Sequence, residues 1–185
     1  MGYIFDPEEL QSIARSVVGQ PIDAQIDAIR AELGRRHGKH VAPAQEWVFN
    51  NAGGAMGAML VLHASITEYV IIFGTPLGTT GHSGRFAAED YFMMLQGEHW
   101  CFAEGETAPT ITRPGECTVL PRGRAKAYRL KENSWALEYA RGFIPFMLPF
   151  GFADTFSSTL DFDPLWRTVK LYGAAVTKNL LAGKL

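Results

Sequence analysis

The feature that most constrains the fold is a series of short apolar segments between Trp47 and Gly142. Each segment is rich in aromatic and β-branched residues, and glycine, proline or threonine separates it from the next. The segments read EWVFN, AMLVLHASI, EYVIIFG, GRFAAEDYFMML, HWCFAE, ECTVLP, KAYRL and SWALEYA. Many short strands at this spacing indicate a barrel or sandwich rather than strands alternating with helices. The sequence therefore predicts a mainly-β protein.

Two helices precede this β region. Asp6 and Pro7 form a typical helix start, a capping side chain followed by proline in the first turn. The apolar residues that follow at helical spacing are Leu10, Ile13, Ala14 and Val17. After a break, a second amphipathic helix has an apolar stripe made of Ile22, Ile26, Ile29 and Leu33. Each helix therefore has one apolar face to bury.

The C-terminal residues are helical again. Asp163 and Pro164 repeat the cap-and-proline start. Apolar residues then recur about every fourth position, at Leu165, Val169, Tyr172, Val176 and Leu180. The lysines among them are Lys170, Lys178 and Lys184. The pattern leaves two interpretations open: this helix packs onto the β region, or it lies on an anionic bilayer.

These signals divide the chain into three segments. N-terminal helices occupy residues 1–44, a β region occupies residues 45–142, and C-terminal helices occupy residues 143–185. A chain of 185 residues is long enough for one structural domain with a substantial core. We therefore expect a mainly-β fold with flanking helices in one domain.

The charge balance and the terminal sequence exclude several classes of protein. The formal net charge is −2 and no basic run occurs, so the chain lacks the positive surface that nucleic-acid binding requires. The N-terminus has neither the basic nor the apolar region of a signal peptide. No uncharged apolar run reaches the roughly 18 residues that span a bilayer. We expect any membrane contact to be peripheral.

The histidines and cysteines do not predict a metal site or a cofactor. The five histidines include no His-x-His pair, and His37 and His40 lie in a glycine loop. Cys101 and Cys117 are too few for a disulfide framework or a zinc site. First-row metals need several convergent ligands, so we expect neither a metal nor a cofactor.

Two acidic residues occur within apolar strand segments. In SWALEYARG, Glu138 shares a strand face with Ala136 and Ala140, whereas the large residues occupy the other face. In AAEDYFMML, Asp90 shares a face with Phe92. Periodicity alone does not show which face is interior. Two acids in a dry pocket would suit proton transfer, because burial raises a carboxyl pKa; solvent-exposed acids are the alternative.

Four long motifs resemble one protein family. They are NNAGGAMGAMLVLHASITEYVIIFGTPLGTTGHSGR (50–85), PGECTVLPRGRAKAY (114–128), NSWALEYARGFIP (133–145) and FADTFSSTLDF (152–162). From about residue 5 to residue 172, the chain resembles in register the fungal C-8 sterol isomerases and the animal sigma-1 receptor. The resemblance implies a cupin-like β-barrel around one elongated apolar cavity, two membrane-facing C-terminal helices over its mouth, and a homotrimer.

The resemblance also implies an active site. In the family, the acid at the position of Glu138 points into the cavity, and the tyrosine at the position of Tyr69 supports it by hydrogen bonding. The second cavity acid of the receptor aligns with Phe92, where this chain departs from the receptor. The fungal isomerases carry an acid followed by Asp-Tyr-Phe, which residues 89–92 match. Asp90 is therefore the expected second acid, since residues two apart share one side of a strand.

The remaining positions that the resemblance assigns to the cavity wall are mostly large and apolar. They are Ala55, Met59, Val61, Ile71, Phe73, Phe92, Trp135, Met147, Leu148 and Tyr172. Ala55 stands where the family often has tryptophan, and Pro149 stands within a family helix, whose regularity proline would disturb. The family's N-terminal transmembrane helix has no counterpart in this sequence, so we expect a peripheral or soluble form.

The resemblance implies a cofactor-free isomerase that moves the C=C bond of a sterol or related polycyclic isoprenoid from Δ8 to Δ7. Glu138, Asp90 and Tyr69 are the expected catalytic residues, and hydrophobic amines are expected inhibitors. Two alternatives stay open: a receptor-like protein that binds such amines without turnover, and an acid-catalysed isomerase or cyclase of another isoprenoid. The expected location is the cytoplasmic side of a membrane, which is the endoplasmic reticulum in a eukaryote. Which carboxyl donates the proton stays open.

Overall fold

The computed structural model describes residues 2–184, with a β-rich centre and helices at both ends. The N-terminal helices are α1 (Pro7–Val17) and α2 (Ile22–His37). The strands are β1 (Trp47–Ala52), β2 (Ala55–Ala64), β3 (Glu68–Thr75), β4 (Thr79–His82), β5 (Ala88–Gln96), β6 (His99–Phe102), β7 (Thr110–Thr112), β8 (Cys117–Leu120), β9 (Ala127–Leu130) and β10 (Ser134–Gly142). The C-terminal helices are α3 (Leu148–Asp154) and α4 (Phe162–Leu181). The predicted mainly-β fold with flanking helices is confirmed.

The strands form two antiparallel sheets. The larger sheet has six strands in the order β1-β2-β3-β10-β5-β8, and the smaller has four in the order β4-β9-β6-β7. Within residues 2–184, the hydrogen bonding therefore divides the expected barrel into two sheets instead of closing it. Strand β10 lies between β3 and β5, so its residues have neighbours on both sides.

Helices α1 and α2 cover one face of the larger sheet. The Asp6 side chain caps α1 by accepting hydrogen bonds from the backbone N–H groups of Glu8 and Glu9. The predicted apolar residues of both helices are buried, except that Ile22 is half-buried. They pack against residues of the larger sheet in a first core cluster. The predicted start of α1 and the apolar stripes of both helices are confirmed. The predicted start of α4 at Asp163 is wrong, because α4 begins at Phe162 after the N-cap residue Asp161, and Asp163 lies in its first turn.

The two faces of β10 belong to different core clusters. Leu137 and Tyr139 lie in the cluster under α1 and α2, whereas Ala136 and Ala140 lie in a second cluster on the opposite face. Because side chains alternate along a strand, Glu138 points to this second face. The smaller sheet and α4 also contribute to the second cluster, so the acid faces the space between the sheets.

Helix α4 docks through a different face from the apolar stripe in its sequence. Its buried residues are Pro164, Thr168, Leu171, Ala175 and Asn179. Val169 and Leu180 of the stripe are instead 41% and 42% exposed. Asn179 anchors the docked face, because its side chain hydrogen-bonds the His40 ring and the Ala64 carbonyl. The interpretation that this helix packs onto the β region is therefore confirmed, but the docked face is offset from the stripe. Tyr172 and Val176 of the stripe are half-buried against the second core cluster.

Pro149 lies in the first turn of α3. The missing N–H of a proline costs no hydrogen bond there, because the first N–H groups of a helix have no helical partner. A 3-10 turn over Ile144–Met147 precedes α3, and a π-helical turn over Thr155–Thr159 follows it. The disturbance expected from Pro149 is thus a break before the helix rather than a kink inside it.

Two short strands have no signal in the sequence pattern. Strand β4 falls in a glycine-rich stretch that indicates a turn, yet it pairs with β9. Strand β7 pairs with β6. Both strands owe their extended conformation to a long-range partner, which local propensity does not report.

Candidate active site

A cavity lies between the inner faces of the two sheets and next to the C-terminal helices. Together with its opening, it holds about 1050 Å³ of empty space. The wall combines β2, β3, β5 and β10 of the larger sheet with β4, β6 and β9 of the smaller sheet. The space between the sheets is therefore the candidate binding site for a hydrophobic ligand.

Most of the side chains expected at the cavity lie there. The three catalytic candidates, Glu138, Asp90 and Tyr69, all line the wall. The apolar candidates that line it are Met59, Ile71, Phe73, Phe92, Met147, Leu148 and Tyr172. These residues are spread over positions 59–172, so the tertiary fold brings them together.

Three expected wall residues lie elsewhere. Trp135 is on the face of β10 that the N-terminal helices cover, and its ring packs edge-on against Trp47 at a centroid distance of 5.4 Å. Val61 is fully buried within the second core cluster. Ala55 packs against β4, where a Cβ at Gly81 would lie only 2.7 Å from its own. Strand alternation excludes Trp135 from the cavity, and close packing removes the other two from its wall.

Glu138 and Asp90 are diagonal neighbours on adjacent strands. Glu138 is opposite Phe92, and Asp90 is opposite Ala140, in the antiparallel pair of β10 and β5. Such diagonal positions on one face are roughly 7–8 Å apart, which allows both carboxyl groups to reach the same part of a ligand. Alanines on either side of Glu138 leave room for that ligand.

Tyr69 supports one oxygen of Glu138. Its hydroxyl donates a hydrogen bond to Glu138 Oε1 at 2.5 Å. Tyr69 lies on β3, the other neighbour of β10, and its ring is buried. The ring of Tyr172 from α4 approaches it edge-on at a centroid distance of 6.4 Å. The tyrosine is therefore fixed where it leaves only the second oxygen of Glu138 free for a ligand.

Burial and neighbouring charges give the two acids different pKa values. Burial raises the pKa of Glu138, the negative charge of Asp90 raises it further, and the hydrogen bond from Tyr69 lowers it. Burial also raises the pKa of Asp90, but the ammonium of Lys126 opposes this rise. The acids titrate as a coupled pair, in which Glu138 keeps its proton to higher pH than Asp90.

The smaller sheet adds polar wall residues that the sequence pattern did not single out. They are Lys126, just before β9, together with Tyr128, His99, His82 and Ser83. Lys126 and Tyr128 alternate along KAYRL, and this alternation is a signal for a shared face. That the face is the inner one follows from the pairing of β9 with β4 and β6, which the sequence does not show.

His99 forms a neutral part of the wall. Burial lowers its pKa to about 3, and the charge of Lys126 adds to the shift. Its ring packs at 4.9 Å from the ring of Phe92 and 5.8 Å from that of Tyr128. Across the described range 2–184, no group of three or more His, Cys, Asp or Glu side chains is placed to hold a metal ion.

An apolar cavity with two coupled acids and a supporting tyrosine defines a protein that binds a hydrophobic ligand and can move protons on it. The chain belongs to the ERG2 and Sigma1 receptor like family, whose family model matches residues 1–184. The resemblance carried by the four sequence motifs is therefore confirmed over nearly the whole chain.

Curated relatives come from both branches of the family. The chain is 50% identical to the C-8 sterol isomerase erg2 of Aspergillus fumigatus, covering 98% of this chain and 78% of that protein. It is 51% identical to the C-8 sterol isomerase of Neurospora crassa, covering 98% of this chain and 73% of that protein. It is 43% identical to sigma non-opioid intracellular receptor 1 of Xenopus tropicalis, covering 94% of this chain and 80% of that protein.

Solved structures with partial similarity cover about half of the chain. KdgF from Halomonas sp. is 15% identical, with a TM-score of 0.42 over 46% of this chain and 78% of that chain. A cupin superfamily protein from Desulfitobacterium hafniense is 18% identical, with a TM-score of 0.40 over 45% of this chain and 74% of that chain.

None of the helices in residues 2–184 has the length and apolarity needed to cross a membrane.

Proposed function

We propose that this protein is a cofactor-free isomerase that moves a C=C bond of a sterol, or of a related polycyclic isoprenoid, from Δ8 to Δ7. The observation that carries the proposal is the coupled pair Glu138 and Asp90 on one face of an apolar cavity. Relatives at about 50% identity are named C-8 sterol isomerases, which supports the substrate class. The reaction needs one acid and one base, and the pair supplies both.

Glu138 is the proton donor in this proposal. Its raised pKa keeps the carboxyl protonated near neutral pH, and Tyr69 occupies Oε1, so the transferable proton is on Oε2. Transfer to one alkene carbon leaves the other alkene carbon as a tertiary carbocation and Glu138 as a carboxylate. The hydrogen bond from Tyr69 stabilises that carboxylate as it forms.

Asp90 is the proton acceptor. It removes a proton from the carbon next to the cation, and the electron pair of that C–H bond becomes the new C=C bond. One proton enters the substrate and one leaves it, so no oxidant or reductant is consumed. Phe73 and Phe92 line the cavity, where aromatic faces stabilise a cation and an apolar wall keeps out water that would trap it.

Incubation of the purified protein with a Δ8 sterol in heavy water tests the proposal. We expect a Δ7 product that carries one deuterium. Glu138→Gln and Asp90→Asn should abolish both the shift and the labelling, whereas Glu132→Gln, an exposed acid in the turn before β10, should change neither. Wild-type labelling by Glu138→Gln would contradict the assignment of the donor.

A second candidate function is the binding of hydrophobic amines without turnover. The buried acid favours it, because an ionised Glu138 would pair with an ammonium group in apolar surroundings. Relatives named sigma non-opioid intracellular receptor 1 support it. Titration with a hydrophobic tertiary amine separates the two functions. Inhibition of turnover supports the isomerase, in which the amine resembles the carbocation; tight binding to a protein that does not convert Δ8 sterols supports the receptor-like function.

The proposal extends to location and assembly. We propose peripheral contact of the C-terminal helices with the cytoplasmic side of a membrane, the endoplasmic reticulum in a eukaryote, and a homotrimer. Large exposed apolar residues support membrane contact: Phe156 (62%) and Leu160 (64%) between α3 and α4, and Trp166 (58%) and Leu181 (86%) on α4. Flotation with phospholipid vesicles should carry the protein upward, and replacement of Trp166 and Leu181 by serine should lower the fraction of protein that floats.

Sedimentation equilibrium tests the proposed homotrimer. A molecular mass equal to that of one chain would rule out the trimer.

A further inference from the structure

Lys126 carries an unpaired amino group at the cavity wall. Its Nζ atom is buried and has no hydrogen-bond partner in the described part of the chain. Its backbone is fixed, because its N–H donates to Ser83 Oγ at 2.9 Å and its carbonyl accepts from the Ser83 N–H at 3.0 Å. Burial of an unpaired ammonium is costly, so this position requires a functional explanation.

The matching unpaired atom is Asp90 Oδ1. It too is buried without a hydrogen-bond partner among residues 2–184, and it belongs to the same cavity. The positive charge of Lys126 acts on the Asp90 carboxyl through space. The two groups are thus complementary in charge, lack hydrogen-bond partners among the described residues, and line the same cavity.

The other titratable groups around Asp90 do not supply this charge. The titratable groups that interact electrostatically with Asp90 are Glu138 (β10), Tyr69 (β3), Tyr128 (β9) and Cys117 (β8). His99 (β6) lines the same cavity. His99 is neutral, and the remaining groups are acids. Lys126 is therefore the group that favours the ionised form of Asp90.

We propose that Lys126 is a positioning residue that holds Asp90 as a carboxylate and thereby directs the proton from Glu138 to Asp90. The inference rests on the proposed isomerase function. Two coupled acids by themselves share a proton between two arrangements, and a cation near one of them selects a single arrangement. Glu138 is hydrogen-bonded to a neutral group, the Tyr69 hydroxyl, whereas Asp90 interacts with the positive charge of Lys126. The two acids therefore differ in the charge of their neighbours.

The same charge resets the site after each turnover. Deprotonation of the cation leaves the proton on Asp90 and the negative charge on Glu138. Burial and the nearby Asp90 charge raise the pKa of Glu138, whereas Lys126 opposes the rise that burial causes in the pKa of Asp90. Return of the proton to Glu138 is therefore favoured, and the starting arrangement is restored.

The first test compares Lys126→Met, which removes the charge and keeps an unbranched side chain, with Lys126→Arg, which keeps the charge. The acidic limb of the kcat/KM profile reports protonation of Asp90. In Lys126→Met this limb should move up by about one to two pH units. Activity at pH 7 should fall roughly tenfold and recover at higher pH, with KM nearly unchanged. Lys126→Arg and Lys39→Met, at an exposed loop position, should keep the wild-type limb.

A structural role for Lys126 gives a different result. If its removal only disturbed packing, activity would fall equally at every pH. Such a pH-independent loss, or an acidic limb that does not move, overturns the proposal. The recovery at high pH is therefore the decisive observation.

A second measurement does not depend on turnover. The infrared difference spectrum between wild type and Asp90→Asn at pH 7 should show loss of a carboxylate band. The same comparison in the Lys126→Met background should show loss of a protonated carboxyl band. A protonated carboxyl band in the wild-type comparison overturns the proposal even if Lys126→Met does not fold. A wild type that does not convert Δ8 sterols rejects the proposed function, and the spectra then still decide whether Lys126 sets the charge of Asp90.

Discussion

The Tyr69 hydroxyl lies 2.5 Å from Glu138 Oε1, across the pairing of β3 with β10. On the other side of β10, Asp90 Oδ1 has no such donor within residues 2–184, and the positive charge of Lys126 acts on this carboxyl instead. The two acids therefore share a cavity and differ in their partners. This difference makes one acid suited to donate a proton and the other suited to accept it.

Removal of the Tyr69 hydroxyl should change the pH profile as well as the rate. In Tyr69→Phe, Glu138 loses a hydrogen bond that lowers its pKa, so the basic limb of kcat/KM should move to higher pH. A hydrogen bond to a charged group contributes about 1.5–3 kcal/mol, so kcat should fall roughly ten- to hundredfold. Tyr3→Phe, in which the lost hydroxyl contacts Arg122 at the surface, is the matched control. An unmoved basic limb contradicts the role of Tyr69.

Replacement of Glu138 should stabilise the protein while abolishing activity. Because the pKa of Glu138 is raised in the folded state, the folded protein holds a proton where the unfolded chain has lost it. The free energy of unfolding of the wild type therefore falls as pH rises from about 4.5, the ordinary pKa of the carboxyl, to about 8, its raised pKa in the folded protein. Glu138→Gln lacks this titration and can still accept the hydrogen bond from Tyr69.

Denaturant unfolding at two pH values checks this prediction. At pH 8, Glu138→Gln should exceed the wild type in free energy of unfolding by on the order of 1 kcal/mol. Below about pH 4, where the carboxyl is protonated in both states, the difference should vanish. Glu132→Gln should show neither effect. A difference that is the same at both pH values would show that charge is not its cause.

The end of the chain is tied to the sheet by a buried ion pair. Lys184 Nζ lies 2.9 Å from Glu68 Oε1, with side-chain exposures of 7% and 0%. Glu68 also accepts hydrogen bonds from the Tyr139 hydroxyl and the Ile4 N–H. Lys184→Met leaves a buried carboxylate without its cation and should lower the free energy of unfolding by about 3–5 kcal/mol.

Chemical denaturation of two further variants separates charge from packing at this pair. Glu68→Gln combined with Lys184→Met should regain part of the lost stability, because no buried charge is left unpaired. Lys170→Met, an exposed lysine on α4, should be nearly neutral. Equal losses in the single and double variants would show that the pair contributes through packing alone.

Gly57 protects the shape of the cavity wall. A Cβ at this position would lie 2.6 Å from the Phe73 ring and 2.7 Å from the Gly74 carbonyl oxygen. Gly57→Ala should therefore displace Phe73, raise KM for the sterol, and cost about 1–3 kcal/mol of stability. Gly34→Ala, in a helical position with open space around it, should be neutral or stabilising. Unchanged KM in Gly57→Ala would contradict this role.

The sequence predicted those helices and strands that depend on residues close together in the chain. The Asp6 cap, the apolar stripes of α1 and α2 and most of the strands follow from capping, helical spacing and alternation. Strand β4 and the docked face of α4 were missed, because distant partners determine them. Asn179 illustrates this: a polar residue marks the buried face only because His40 and Ala64 lie opposite. Strand β7 was missed because it has only three residues, too few for a pattern of alternation.

The sequence by itself determined that Glu138 shares a strand face with two alanines, since side-chain direction alternates with a period of two residues. Only the tertiary structure decided that this face is inside, because α1 and α2 cover the opposite face and the smaller sheet closes over this one. The same holds for Lys126. Its alternation with Tyr128 is local, but its place in the same cavity as Asp90 depends on pairings between strands far apart in the chain. The alternation of residues determines which side chains share a face of a strand. The packing of sheets and helices determines whether that face is buried and which residues it contacts.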